Sequence, residues 1–256
     1  MITLASDFGS PYPAAMRGVV ARRCDARLVD VSHDLPRGAV RVAAFWLRFC
    51  LPEFPPAVHC AVVDPGVGTG RDVLVVRAGE HALVGPDNGL LFPAARALAD
   101  DPEPFVADPG SPASTTFHGR DVFAPLAAAV HEVGVADLES LDRVAPAENP
   151  VDLRLPDADV SGDVARGEVL AVDDFGNVVT NVPGDVLDGR AGERVRVDGA
   201  SAPVVETFGA VAPGDPLVTV GSHGNVECDV NDGRGDEAFD LAAGDEVVLR
   251  FGGSGR

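Results

Sequence analysis

An apolar run from Ala57 to Val63 ends abruptly on Asp64, and Pro65-Gly66-Val67-Gly68-Thr69-Gly70-Arg71 follows. A short apolar run bounded by turn residues is the pattern of a buried strand. Such a strand delivers the acid to a sheet edge, and glycines there let a ligand approach the backbone closely. A tight turn carrying a solvated Asp has the same local pattern, so the rest of the chain must decide between them.

Residues 1 to about 145 alternate strand-like and helix-like segments. Ile2 to Ala5, Arg27 to Val31 and Ala57 to Val63 read as strands, and Val73 to Val76 with His81 to Val84 as a strand pair. Ala14 to Cys24, Ala39 to Leu51, Leu91 to Leu98 and Asp121 to Val133 read as helices. The alternation predicts an α/β domain with a largely parallel sheet covered by helices. Ligands of such sheets sit at the carboxyl ends of strands, where Asp7 and Asp64 both fall.

From Asp142 to Asp159 the composition turns to Pro and acids, which reads as a linker. Beyond it lie short strands with Gly-rich turns: 167–172, 177–182, 194–197, 203–208, 217–220, 226–230 and 246–251. They predict a smaller all-β, barrel-like domain of about 95 residues. The expected division is 1–150 for the α/β domain, 151–160 for the linker and 161–256 for the β domain, the last residues, Gly252 to Arg256, forming a loose tail.

The net charge of −20, with no lysine among the 20 basic residues, repels phosphate backbones, so nucleic acid is not an expected partner. The missing lysine also removes the nucleotide-phosphate loop and lysine Schiff-base chemistry. Acids spread along the whole chain read as a solvated surface suited to high salt. No apolar run approaches the roughly 18 residues of a membrane span. The start, Ile2-Thr3-Leu4, is strand-like rather than a basic and apolar leader, so a cytoplasmic protein is expected. Cys24, Cys50, Cys60 and Cys228 form no C-x-x-C pair and read as reduced thiols; the histidines show no metal spacing, so no metal is expected.

Several clusters carry chemistry. In Ser6-Asp7-Phe8-Gly9 a carboxylate stands beside a permissive glycine; it can accept from two vicinal hydroxyls of a sugar, or cap the following helix. His118, in Phe117-His118-Gly119-Arg120-Asp121, suits a chemical role or a hydrogen bond at a helix start. Asp64, Arg71 and His118 converging at one sheet edge could position a water and accept its proton. In the second domain, Asp173 to Asn181 and Gly221 to Glu227 read as hairpin turns or ligand loops.

Taken in order, S-D-F-G…Y…M-R-G, D-V-S-H, V-V-D-P-G-V-G-T…R, G-P-D-N-G, F-H-G-R-D-V-F-A-P, D-x-F-G-N-x-x-T-N, T-F and G-S-x-G-x-x-E…V-N resemble the S-adenosyl-L-methionine hydroxide adenosyltransferase family, relatives of the fluorinating and chlorinating enzymes. The resemblance runs from residue 2 to about 251. It implies an N-terminal α/β domain and a C-terminal barrel-like domain in a homotrimer, with ligand between the first domain of one subunit and the second of the next. It implies hydrolysis of S-adenosyl-L-methionine to adenosine and L-methionine without cofactor or metal. Asp64, Arg71 and His118 match the water-activating residues, and Asp7 the grip on the ribose hydroxyls. Asp173 matches the contact to the methionine ammonium, Asn177 the contact to adenine, and Phe175 and Phe208 aromatic walls. Ser222 matches a contact to the methionine carboxylate, and Asn231 and Asp232 the loop near the base. His223 stands where the halide enzymes carry an arginine, and Glu227 fits the pattern with no role assigned.

Two other activities share these features. In the halide transferases the positions matching Asp64 and His118 are aromatic, and the position matching Gly119 can be a serine. A nucleoside or S-adenosylmethionine sensor without turnover would not need Asp64, Arg71 and His118.

Overall fold

A computed structural model describes residues 1–252; of the expected tail, Gly253 to Arg256 lie outside the described residues. The chain divides into two units, residues 1–154 and 155–256.

Unit 1 contains strands β1 (Ile2–Ser6), β2 (Leu28–Ser32), β3 (Val58–Val62), β4 (Val73–Ala78), β5 (His81–Pro86), β6 (Glu103–Ala107) and β7 (Val144–Pro146). Its helices are α1 (Tyr12–Ala21), α2 (Val40–Cys50), α3 (Phe92–Leu98) and α4 (Ala124–Val133). The sheet order is β2-β1-β3-β5-β4-β6-β7. Pairing is parallel from β2 to β5 and antiparallel from β5 to β7, so the sheet is mixed. The change of direction comes from the β4–β5 hairpin, whose turn holds Gly79 at φ +60°. β6 and β7 extend the sheet beyond the elements legible in the sequence, and β7 lies inside the segment read as linker. Three residues ending on a proline are too short to show a period.

Successive residues of the central strands enter opposite cores. Ile2, Leu4, Val58, Cys60 and Val62 pack with α1 and α4; Ala5, Ala61 and Val63 pack with α2 and α3. Burial on both faces explains why these strands are apolar without alternation. Gly85 in β5 is required by this packing, because a Cβ there would collide with the Ala61 carbonyl oxygen and press on Leu91.

One polar chain crosses the core. His59 Nδ1 lies 2.8 Å from Thr3 Oγ1, and His59 Nε2 lies 2.9 Å from His81 Nδ1. The contact between the two rings has room for one proton. Burial, and secondarily His81, push the pKa of His59 down to about 3; burial also lowers that of His81. The unfolded chain therefore takes up a proton near pH 6.5 that the folded chain refuses until about pH 3, so stability falls as pH drops through that window. His59→Gln should flatten this fall, recovering about 3 kcal/mol at pH 4 relative to the parent's loss between pH 7 and pH 4. Denaturant titrations at both pH values check it; parallel losses in parent and variant would refute it.

Unit 2 is a barrel-like sheet of β8 (Asp159–Ser161), β9 (Val164–Val172), β10 (Val178–Pro183), β11 (Arg194–Val197), β12 (Ala200–Pro203), β13 (Pro216–Val220), β14 (Asn225–Val230) and β15 (Glu246–Arg250). Its path is β12-β11-β15-β9-β10-β14-β13, with β8 on β9, and a bridge between Val204 and Val218 nearly closes it. Two expectations are corrected here. The strand read at 203–208 is β12, which ends at Pro203, and Phe208–Ala210 is a 3₁₀ turn. A short helix, α5 (Gly235–Phe239), follows β14 where no helix was expected. Gly235 lets this turn lie on β14, since a Cβ there would strike the Cys228 carbonyl oxygen.

Candidate active site

β1 and β3 are neighbours, and their register pairs Ser6 with Val62. Asp7 follows the first and Asp64 follows the second within two residues, so adjacent strands deliver both acids to one end of the sheet. β2 lies on one side of β1 and β3 on the other. This reversal opens a crevice at the carboxyl ends of the strands. A cavity of about 590 Å³ occupies it, lined by Asp7, Asp64, His118, Phe8, Tyr12 and Phe117 among others.

Asp64 is held firmly. Its side chain is 6% exposed, its Oδ1 accepts from the Gly66 N–H at 3.0 Å, and Arg71 Nε lies 3.3 Å away. Gly66 makes room for that arginine, since a Cβ would collide with the guanidinium. Arg71 Nη1 donates to the Asp87 carbonyl oxygen at 3.3 Å. Asn88 Nδ2 in turn donates to the Val63 carbonyl oxygen at 2.8 Å, and Asn88 Oδ1 accepts from the Leu90 N–H. The Pro86-Asp87-Asn88-Gly89 stretch, legible in the sequence only as a turn, thus fixes both Arg71 and the end of β3. Its signal was the Asx-turn chemistry of Asn88, which says nothing about distant partners. Val151 N–H donates to Asp87 Oδ1, and burial raises the Asp87 pKa.

The glycine loop after Asp64 packs against the loop that carries His118: Gly68, at φ +81°, leaves no space for a Cβ before the Thr115 carbonyl oxygen at 2.8 Å. His118 precedes a π-helical turn, Gly119–Phe123, that leads into α4. This corrects the helix start read at Asp121. His118 makes no side-chain cap there among the described residues, so the helix-start hydrogen bond is not its role. The turn is locked by Arg120, whose Nε and Nη2 donate to Asp121 at 2.6 and 2.7 Å while the guanidinium lies over Phe117. That pair holds the Asp121 carboxyl below its usual range.

Asp7 does not cap α1, whose N-cap is Pro11. Instead its Oδ2 accepts from the Gly38 N–H at 2.7 Å while the side chain lines the cavity. Phe8, Tyr12 and Phe117 meet edge to face, with centroids 5.3–6.3 Å apart, and form an aromatic wall that sequence reasoning did not assign.

In unit 2, Asp173 closes the β9–β10 turn. Its Oδ1 accepts from the Phe175 and Asn177 N–H groups, and its Oδ2 from Asn177 Nδ2 at 3.0 Å. The stretch therefore forms a hairpin turn by its own hydrogen bonds. The turn thrusts Phe175 outward, 78% exposed. Phe208 begins its 3₁₀ turn partly exposed; Ser222 and Asp232 are exposed, Asp232 at φ +55°. Asn231 Nδ2 donates to the Val211 carbonyl oxygen at 2.8 Å. His223 uses both ring nitrogens within its hairpin: Nδ1 accepts from the Asn225 N–H, and Nε2 lies 2.9 Å from Glu227 Oε1. Glu227 thus stands in hydrogen-bond contact with His223. A smaller cleft in unit 2, beside Leu187 and Val220, contains none of these residues.

Asp229 also escaped sequence reasoning. It is fully buried on β14, and neither carboxylate oxygen completes a hydrogen bond among the described residues, although the Val178 N–H leans toward it. Burial, then Glu227 and Asp173, push its pKa up to about 8.

Comparison with known proteins agrees over both units. The SAM hydroxide adenosyltransferase N-terminal domain family matches residues 2–141, and the corresponding C-terminal domain family residues 167–248. A protein of Salinispora tropica named (R)-S-adenosyl-L-methionine hydrolase is 41% identical, with 98% of each chain covered. One of the same name from Thermus thermophilus is 43% identical, covering 95% of this chain and 97% of its own. The crystal structure of an uncharacterized conserved protein from Thermotoga maritima superposes with a TM-score of 0.84 at 32% identity, covering 98% of this chain and all of that one.

Proposed function

The chain belongs to the SAM hydroxide adenosyltransferase family, and from that premise we propose that it hydrolyses S-adenosyl-L-methionine to adenosine and L-methionine by in-line attack of water on the ribose C5′. The observation that carries the reading is the Asp64 carboxylate, paired with Arg71 and facing the cavity that His118 also lines. A water oxygen forms its bond to C5′ as the C5′–sulfur bond breaks, and the electron pair leaves with sulfur as the neutral thioether of methionine. The water proton passes to Asp64 or His118, and Arg71, 3.3 Å from Asp64, orients that carboxylate. Since the leaving group departs neutral, no acid need protonate it and no metal need polarise it. Position and exclusion of solvent provide the remaining catalysis.

Asp7 takes the two ribose hydroxyls, with Phe8, Tyr12 and Phe117 as an apolar wall. Asp173, Asn177, Phe175, Phe208, Ser222, Asn231 and Asp232 serve the methionyl and adenine ends. His223, committed to Glu227, is not the partner of the substrate carboxylate that an arginine would be. The protein is a homotrimer of the cytoplasm with a salt-adapted acidic surface. Exposed aromatic side chains such as Phe175 support assembly. Among the described residues no helix is long and apolar enough to cross a membrane.

Halide transfer is the competing chemistry. A serine in place of Gly119 would need Met16, Phe8 and Phe117, each 3.0–3.2 Å from its Cβ, to give way. In labelled water with excess chloride, the expected product is adenosine carrying solvent oxygen at C5′. A 5′-chloro product as the main species would overturn the assignment. No product at all, with tight nucleoside binding, would make the protein a sensor.

A further inference from the structure

The Asp30-Val31-Ser32-His33 stretch has no role in the chemistry above, yet it is tied closely to the residue that grips the ribose. The geometry points to His33 as a positioning residue for Asp7, acting through the buried hydroxyl of Ser6. This rests on the ribose role proposed for Asp7.

Ser6 is the last residue of β1 and is fully buried. Its Oγ lies 2.7 Å from His33 Nδ1. The other ring nitrogen, Nε2, is 3.3 Å from Asp30 Oδ1, and Asp30 Oδ2 accepts from Arg17 Nη1 at 2.7 Å. The nearby carboxylate completes no hydrogen bond with Nε2, but its charge favours the tautomer with the proton there. Nδ1 is then the acceptor, and the Ser6 hydroxyl donates to it. Two further bonds join the same segments: Leu35 N–H to the Ser6 carbonyl oxygen at 3.2 Å, and Gly38 N–H to Asp7 Oδ2 at 2.7 Å. The loop after β2 therefore grips Ser6 by side chain and main chain and Asp7 by its carboxylate.

The strand pairing shows why this device is needed. β1 and β2 run in register from Ile2–Leu28 to Leu4–Asp30, and then Ala5 pairs with Ser32, so β2 carries one extra residue. Such a bulge re-aims the chain that follows and removes ladder hydrogen bonds. It falls at the level of Asp30, and the side chains of Asp30 and His33 take over the fixing of the β1 end. Arg17 is half exposed, so its ion pair adds little stability; its effect is to orient Asp30. His33 is largely covered, with 14% of its side chain exposed, so its link to Ser6 is shielded from competing water.

The ribose hydroxyls need a carboxylate held in one orientation. Loss of the His33–Ser6 bond frees the Ser6 hydroxyl to turn toward the Phe8 carbonyl oxygen, 3.4 Å away, and loosens Asp7 between them. The cost falls on ribose binding and not on the attack at C5′.

The test measures KM and kcat for S-adenosylmethionine, and adenosine affinity by calorimetry, on the full chain. His33→Leu and Ser6→Ala should each raise KM and the adenosine Kd about tenfold, with kcat within about twofold. The double variant should be no worse than the weaker single one, because both remove the same link. His33→Asn, which keeps an acceptor near the Nδ1 position, should recover most of the affinity. The Kd for 2′,3′-dideoxyadenosine should be unchanged throughout. Equal losses for adenosine and the dideoxy analogue, or additive effects in the double variant, would overturn the positioning role. Should His33→Leu fail to fold, Ser6→Ala and His33→Asn carry the same comparison. Asp7→Ala is the control for the underlying reading. If it leaves discrimination between the two nucleosides intact, the ribose role of Asp7 fails; if it abolishes discrimination while the His33 and Ser6 variants do not, only the positioning role fails.

Discussion

Asp64→Asn should lower kcat for S-adenosylmethionine hydrolysis about a thousandfold while leaving substrate affinity within about tenfold. The amide keeps an oxygen that can accept from the Gly66 N–H at the Oδ1 position, so the turn is preserved. What disappears is the negative charge that takes the water proton and balances Arg71 across 3.3 Å. Arg71 retains the Asp87 carbonyl oxygen as an anchor and stays near the cavity. The fall therefore belongs to the chemical step and not to a collapsed site. Single-turnover kinetics with calorimetric binding separate the two. A loss of less than tenfold would show that Asp64 is not the water-activating group, and a matching loss of affinity would show that it mainly binds substrate.

Asp229→Ala should stabilise the protein, and increasingly so as pH rises. Folded Asp229 holds its proton up to about pH 8, whereas the unfolded chain releases it near 3.8. Between those values the native state binds more protons than the unfolded one, so stability is lost as pH climbs, and the whole penalty is present above about pH 8. A buried carboxyl without a completed hydrogen bond is costly for the same reason. Removing it should gain about 2–3 kcal/mol above pH 8, or roughly 5–10 °C in thermal midpoint for a chain of this size, and almost nothing at pH 4. Thermal unfolding at both pH values reads this directly. A gain that is the same at pH 4 and pH 9, or a loss at pH 9, would contradict it. Glu227 and Asp173 are the charges that raise this pKa after burial, so the strained acid stands beside the turn assigned to the methionyl end of the substrate.

The two acids illustrate how much of the molecule was legible in its sequence. Asp64 was legible because an apolar run that stops on a carboxylate before glycines has few local explanations, and strand–helix alternation places strand ends where ligands bind. Asp229 was not. It follows Cys228 in a strand whose burial alternates only up to that residue, and the face opposite the barrel core ordinarily meets water. The turn into α5, admitted by Gly235, lies against the strand at Cys228 and Asp229. His59 was hidden in the same way, as one polar letter in an apolar run whose partners, Thr3 and His81, lie on other strands.

The sequence by itself determined the two-part architecture, the strand ends that carry Asp7 and Asp64, and the order of motifs that marks the family. These follow from periodicity, turn chemistry and residue identity, which are local properties. The tertiary structure alone decided that Arg71 is anchored by the Asp87 carbonyl oxygen, that Asp7 is held by Gly38 rather than capping a helix, and that Glu227 is in hydrogen-bond contact with His223. It also decided that His33 reaches Ser6 across a strand bulge. Apart from the Glu227–His223 link, which crosses a hairpin, each of these joins residues well separated along the chain. Such bonds depend on strand register and on which groups are shut off from water, and neither can be read from a residue's neighbours in sequence.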